Sequence, residues 1–148
     1  MSTSEESTAM ARVLGVARIL GYFVYLGAFF LPAIREPGQT ETYKGSFCAW
    51  VTLINTFNPE FLKSRNILAI CSGWINPLMI LYVGFLFSGR LRKARRLIAS
   101  VVLVFMLCTW VFFYVAPMVP LIGHFLWIAG ILMILAGEIV AQPRQNVS

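Results

Sequence analysis

Apolar residues run almost unbroken over 13–34, 67–87, 97–115 and 121–141, and short polar or charged stretches separate these four segments. Each has about 20 residues, the length a helix needs to cross a hydrocarbon core ~30 Å thick. The pattern predicts an all-α fold: a polytopic integral membrane protein built as a four-transmembrane-helix bundle. Residues 1–12 and 142–148 are polar and small, and read as flexible tails.

The longest connection, 35–66, carries a second pattern. Phe47, Trp50, Val51, Ile54 and Asn58 recur at helical spacing, so 46–57 predicts a short helix with one apolar face. It is too short to span, and is expected to lie at the interface and cover the uncharged turn 116–120. Pro37-Gly38 reads as loop, Asn58-Pro59 as the start of a further turn, and Ser64 as a cap for the second span.

Charge orients these segments. The run Gly89-Arg90-Leu91-Arg92-Lys93-Ala94-Arg95-Arg96 holds five of the 12 Lys+Arg residues. Basic residues beside spans stay on the cytoplasmic side, which makes 88–96 a cytoplasmic loop and 35–66 an outer one. Arg12, Arg18 and Arg144 fall on the same side as the run, against Arg35, Lys44, Lys63 and Arg65 opposite. Both termini are therefore expected in the cytoplasm, in a plasma or bacterial inner membrane.

Composition excludes other classes. The chain is 59% hydrophobic and 12% charged, with mean hydropathy +0.78, against about 45–50% apolar and ~25% charged in soluble domains. The net charge of +6 sits beside the spans, where topology explains it, so no nucleic-acid partner is expected. Three cysteines form no CxxC pair and no metal-ligand grouping, and Asp is absent. No metal, no cofactor and no catalytic constellation of nucleophile and base is indicated.

Small residues mark helix-packing faces: Ala17 and Gly21 in the first segment, Gly73 and Gly84 with Pro77 in the second, and Gly123, Gly130 and Gly137 at intervals of seven in the last. These seams are expected to dock a membrane-protein partner or a second copy of the chain. The favoured reading is a non-enzymatic accessory or assembly subunit.

The alternative reading rests on polar and aromatic groups that this topology gathers in the outer half: Ser72, Trp74, Asn76, Thr109, Trp110, Tyr114, His124 and Trp127. Together they would line a cavity for a lipid-like apolar ligand. Asn76 lies deep enough to need a partner, with Thr109 or the carbonyl freed by Pro77 as candidates. His124 and Glu138 share a face but stand roughly 21 Å apart along the axis, which suits anchoring at opposite interfaces. Glu138 could also pair with an arginine of the basic loop, whose residues Arg90, Arg92, Lys93, Arg95 and Arg96 set topology or contact anionic membrane lipids. Cys48 and Cys71, both on the outer side, are a candidate disulfide.

Overall fold

A computed structural model describes residues 3–58, 67–88 and 91–140. Arg90, Pro59, Ser64 and the tail 142–148 lie outside them. The chain is mostly helical, in the order α1 (Thr3–Ala28), β1 (Pro32–Arg35), β2 (Thr42–Lys44), α2 (Gly45–Asn55), α3 (Ile67–Ser88), α4 (Arg92–Val115), β3 (Val119–Pro120) and α5 (Ile122–Val140). Thr8–Ala28, Ile67–Phe87 and Arg92–Val115 are long and apolar enough to cross a membrane, and α2 and α5 add shorter apolar helices. Their outward faces are apolar too: Val13, Ile19, Phe23 and Phe30 of the first segment are each more than half exposed. Side chains of this kind are at home in lipid and a liability in water.

Several expectations change at the ends of the helices. The first helix begins at Thr3 and stops at Ala28, so most of the segment expected to be a flexible tail is helical and 29–34 is not. The stop has a local cause. The amides of Phe29, Phe30 and Leu31 bond back three residues to Leu26, Gly27 and Ala28, and Pro32 has no amide with which to continue. The basic run likewise belongs largely to a helix, since α4 starts at Arg92.

The larger correction to an all-helical reading is a three-stranded antiparallel sheet in the order β2-β1-β3. β1 pairs with β2 through Ile34 with Tyr43 and Arg35 with Thr42, and with β3 through Ile34 with Pro120 and Arg35 with Val119. The pairing with β2 is irregular between Pro32 and Ile34; there the carbonyl of Ala33 accepts from the Leu121 amide at 2.8 Å. The uncharged turn 116–120 was expected to find its cover in the amphipathic helix, and finds backbone partners in β1 instead. An apolar turn with unmet backbone groups would be costly in lipid, and strand pairing removes that cost. The sheet also starts α2. Lys44 gives no side-chain cap, and the amides of Gly45 and Ser46 donate to the carbonyls of Leu31 and Phe29, which satisfies two of the open donors of a helix start.

The helices pack as two intimate pairs, α1 with α5 and α3 with α4, with α2 lying on α3. Glycine makes the first pair possible. A Cβ added at Gly130 would come 2.6 Å from the Tyr25 nitrogen, and one at Gly21 would come 2.9 Å from the Cβ of Met133. Tyr25, Ile75, Met79, Tyr82, Val102, Ile131, Ile134 and Leu135 form one core where the pairs meet.

Candidate functional site

Five of the eight residues expected to converge do so. Ser72, Asn76, Thr109, His124 and Trp127 line a cavity of about 90 Å³ shared by β1, α2, α3, α4 and α5. Trp74, Trp110 and Tyr114 do not line it. All three are exposed, Tyr114 at 91%, and Trp110 also sets its ring 5.8 Å from that of His124.

Asn76 is held from two other helices. Tyr25 donates its hydroxyl to Asn76 Oδ1 at 2.8 Å, and Trp127 Nε1 donates to the same oxygen at 3.0 Å. An indole nitrogen can only donate, so the atom it faces must be the amide oxygen, which fixes the orientation of Asn76. Neither expected partner takes part; Thr109 bonds back to the Phe105 carbonyl of its own helix at 3.0 Å. Both hydrogen bonds of the Asn76 side chain end on Oδ1, and Asn76 is among the residues that line the cavity.

His124 is the second polar group in the wall and is 6% exposed. Aromatic rings surround it, with centroids at 4.6 Å for Phe113, 5.6 Å for Trp127 and 5.8 Å for Trp110. Its Nε2 is buried and has no hydrogen-bond partner among the described residues. A buried imidazole nitrogen without a partner costs ~1–3 kcal/mol. The cavity lining thus combines Ser72, Asn76 and His124 with an otherwise apolar surface of Ala28, Phe29, Ala69 and Phe112.

The sequence reading missed two contributors. Tyr25 was legible only as a tyrosine that shares a face with Tyr22 deeper in the first span, since nothing in one sequence says that α1 neighbours α3. The apolar face expected of helix α2, Phe47, Trp50 and Ile54, is 51%, 63% and 48% exposed, as a face laid in the lipid interface would be. Its small face turns inward, with Cys48, Ala49 and Thr52 lining the cavity. The reason is Gly73 of α3, where an added Cβ would come 2.8 Å from Thr52 Cβ; so close a crossing admits only small side chains.

The cysteines are free. The candidate disulfide between Cys48 and Cys71 is therefore not formed. Burial pushes the Cys48 thiol up to about 11, so the site holds no activated nucleophile there. Among the described residues no group of three or more His, Cys or Glu could hold a metal ion.

The expected seams are mostly spent within the chain. Gly123 meets the Pro32 carbonyl, Gly130 meets Tyr25, Gly21 meets α5, Gly73 meets Thr52, and Gly137 meets the Arg18 guanidinium. Gly84 alone of the expected packing glycines faces open space, and Ala17 is half-buried. Comparison with family models, curated proteins and solved structures finds no match for this chain.

Proposed function

We propose that this is a four-span membrane protein that binds a small, largely apolar ligand in the cavity beneath α2. The observation that carries the reading is a cavity whose lining sets Ser72, Asn76 and His124 among apolar side chains. A few polar groups on an apolar wall suit a mainly apolar guest that carries a polar atom. A cavity of about 90 Å³ is small against an engineered cavity of about 150 Å³ that takes a benzene ring. The bound portion is therefore a compact oxygen-bearing head or a short chain end, and the remainder of the ligand extends outside. Carrier or receptor duty for such a molecule is favoured over an assembly subunit, because most of the small-residue faces that would dock a partner are already occupied within the chain.

Support for a fourth span comes from α5 itself. Its 19 residues cover ~28 Å, and it follows α1 and the start of β1 from Gly123 at Pro32, past Gly130 at Tyr25, to Gly137 at Arg18. A helix lying along a spanning helix for that distance crosses with it. The distribution of basic residues then puts the sheet, α2 and the cavity on the outer side and both termini in the cytoplasm.

The test is purification in native lipid followed by mass spectrometry of every retained small molecule, for the wild type, Ser72→Ala and Asn76→Leu. One apolar species held near stoichiometry by the wild type and depleted in both variants supports the reading. A species retained equally by all three, or a stoichiometric protein partner with no small molecule, overturns it.

A further inference from the structure

At the end of the bundle remote from the sheet, arginines from two helices reach adjacent positions of α5, Gly137 and Glu138. Arg18 of α1 lays its guanidinium over Gly137 of α5. Arg95, in the first turn of α4, places Nη2 3.2 Å from Glu138 Oε1, with the two side chains 16% and 8% exposed. Tyr82 of α3 is wholly buried, and its hydroxyl lies within electrostatic reach of Glu138, Arg18, Arg95 and Tyr22.

Two counts fail to balance there. Arg95 is paired with Glu138, whereas Arg18, over Gly137, has no ion pair among the described residues, leaving an excess positive charge. Arg18 Nε, Arg95 Nε and Tyr82 Oη are also buried without a hydrogen-bond partner among the described residues. An ion pair that served packing alone would leave neither deficit, since each unmet buried donor costs ~1–3 kcal/mol and more when charged. A single anion with several oxygens answers both. A phosphate group does so best, because its tetrahedral oxygens accept from donors that converge from different directions. The depth agrees, as Arg95 and Glu138 lie in the terminal turns of their helices, at the level of lipid headgroups when the helices cross a bilayer.

We propose that Arg18, Tyr82 and Arg95 form a binding site for a phosphate group, with Glu138 holding Arg95 in position. The site is separate from the cavity under α2 and stands whether or not that cavity takes a ligand. The phosphate comes from a lipid headgroup or from a free anion.

The experiment is native mass spectrometry of the full chain in detergent, offered phosphatidylglycerol or, as an anionic lipid without phosphate, oleic acid, each with and without inorganic phosphate. The wild type retains phosphatidylglycerol in preference to oleic acid. Arg18→Gln, which lies outside the basic run, lowers retention about tenfold, and Tyr82→Phe lowers it about fivefold. The control Arg92→Gln/Lys93→Gln removes two exposed charges and changes retention by no more than about twofold. Displacement by millimolar inorganic phosphate identifies the free anion as a sufficient ligand; its failure to compete identifies the lipid. The proposal is overturned if oleic acid is held equally, if the control loses as much as Arg18→Gln, or if neither phosphatidylglycerol nor phosphate binds. Tyr82→Phe removes one oxygen from an intact ring, so it decides the matter should Arg18→Gln fail to fold, and unchanged retention in that variant refutes the site.

Discussion

Tyr25 and Asn76, on helices that are not consecutive in the chain, are joined by a 2.8 Å hydrogen bond that ties the α1–α5 pair to the α3–α4 pair. Trp127 donates to the same oxygen, so Asn76 is the point at which three helices are fastened together. Tyr25→Phe removes one of the two donors and is expected to lower stability by ~1 kcal/mol. Asn76→Leu strands both donors and should cost ~2–4 kcal/mol. Thermal unfolding in micelles measures both, and equal effects would show that the amide is not the shared acceptor.

The glycines divide by what stands opposite them. Gly130→Ala drives a methyl into the Tyr25 backbone and is expected to cost ~1–3 kcal/mol, with Gly130→Val worse. Gly84→Ala meets nothing and should be neutral or stabilising by up to ~1 kcal/mol through helix propensity. A destabilising Gly84→Ala would reveal a neighbour on that face.

Cys48 is expected to react slowly with maleimides at pH 7 to 8, because burial raises its thiol from 9.0 to about 11. The thiolate fraction, and with it the rate, should climb about tenfold per pH unit. The unfolded chain loses this proton first, so between pH 9.0 and about 11 the native state binds more protons than the unfolded one, and stability falls as pH rises through that window. A labelling rate that levels off near pH 9 would contradict the burial of this thiol.

The slow background reaction of Cys48 makes a topology experiment practical. A cysteine at Gln39, beyond β1, should label with an impermeant reagent on intact cells, and one at Lys93 only after permeabilisation. The opposite pattern would invert the whole orientation and move the cavity to the cytoplasmic side.

What was legible in the sequence and what was not divide along a physical line. Three of the apolar segments were readable because length and hydropathy are local properties, and helix α2 was readable from its spacing. Its inward face was not, since that depended on Gly73 in another helix. The strand Val119–Pro120 is two apolar residues that carry no alternation, and only the neighbouring β1 makes them a strand. Five cavity residues were found because polar groups in an apolar segment stand out by type, whereas Tyr25 resembled any other membrane tyrosine. The pairing of Glu138 with an arginine of the basic run was open to the sequence, and Arg95 makes it; the place of Arg18 over Gly137 required α1 to lie against α5, a pairing that no local pattern announces.

That pairing also has a consequence in time. Gly21 and Gly130 meet across roughly 100 residues of chain, which take about 5–20 s to synthesise at ~5–20 residues per second. Throughout that interval α1 sits in the bilayer without its groove filled, its Arg18 facing lipid without the α5 end to lie on. The newly made protein therefore passes through a stage that exposes a small-residue face and a buried-type charge to whatever other helices are nearby. Biogenesis is safest when the ribosome outruns such encounters, and a slowed ribosome on the stretch encoding α4 and α5 would lower the yield of folded protein without altering a single contact in the finished one.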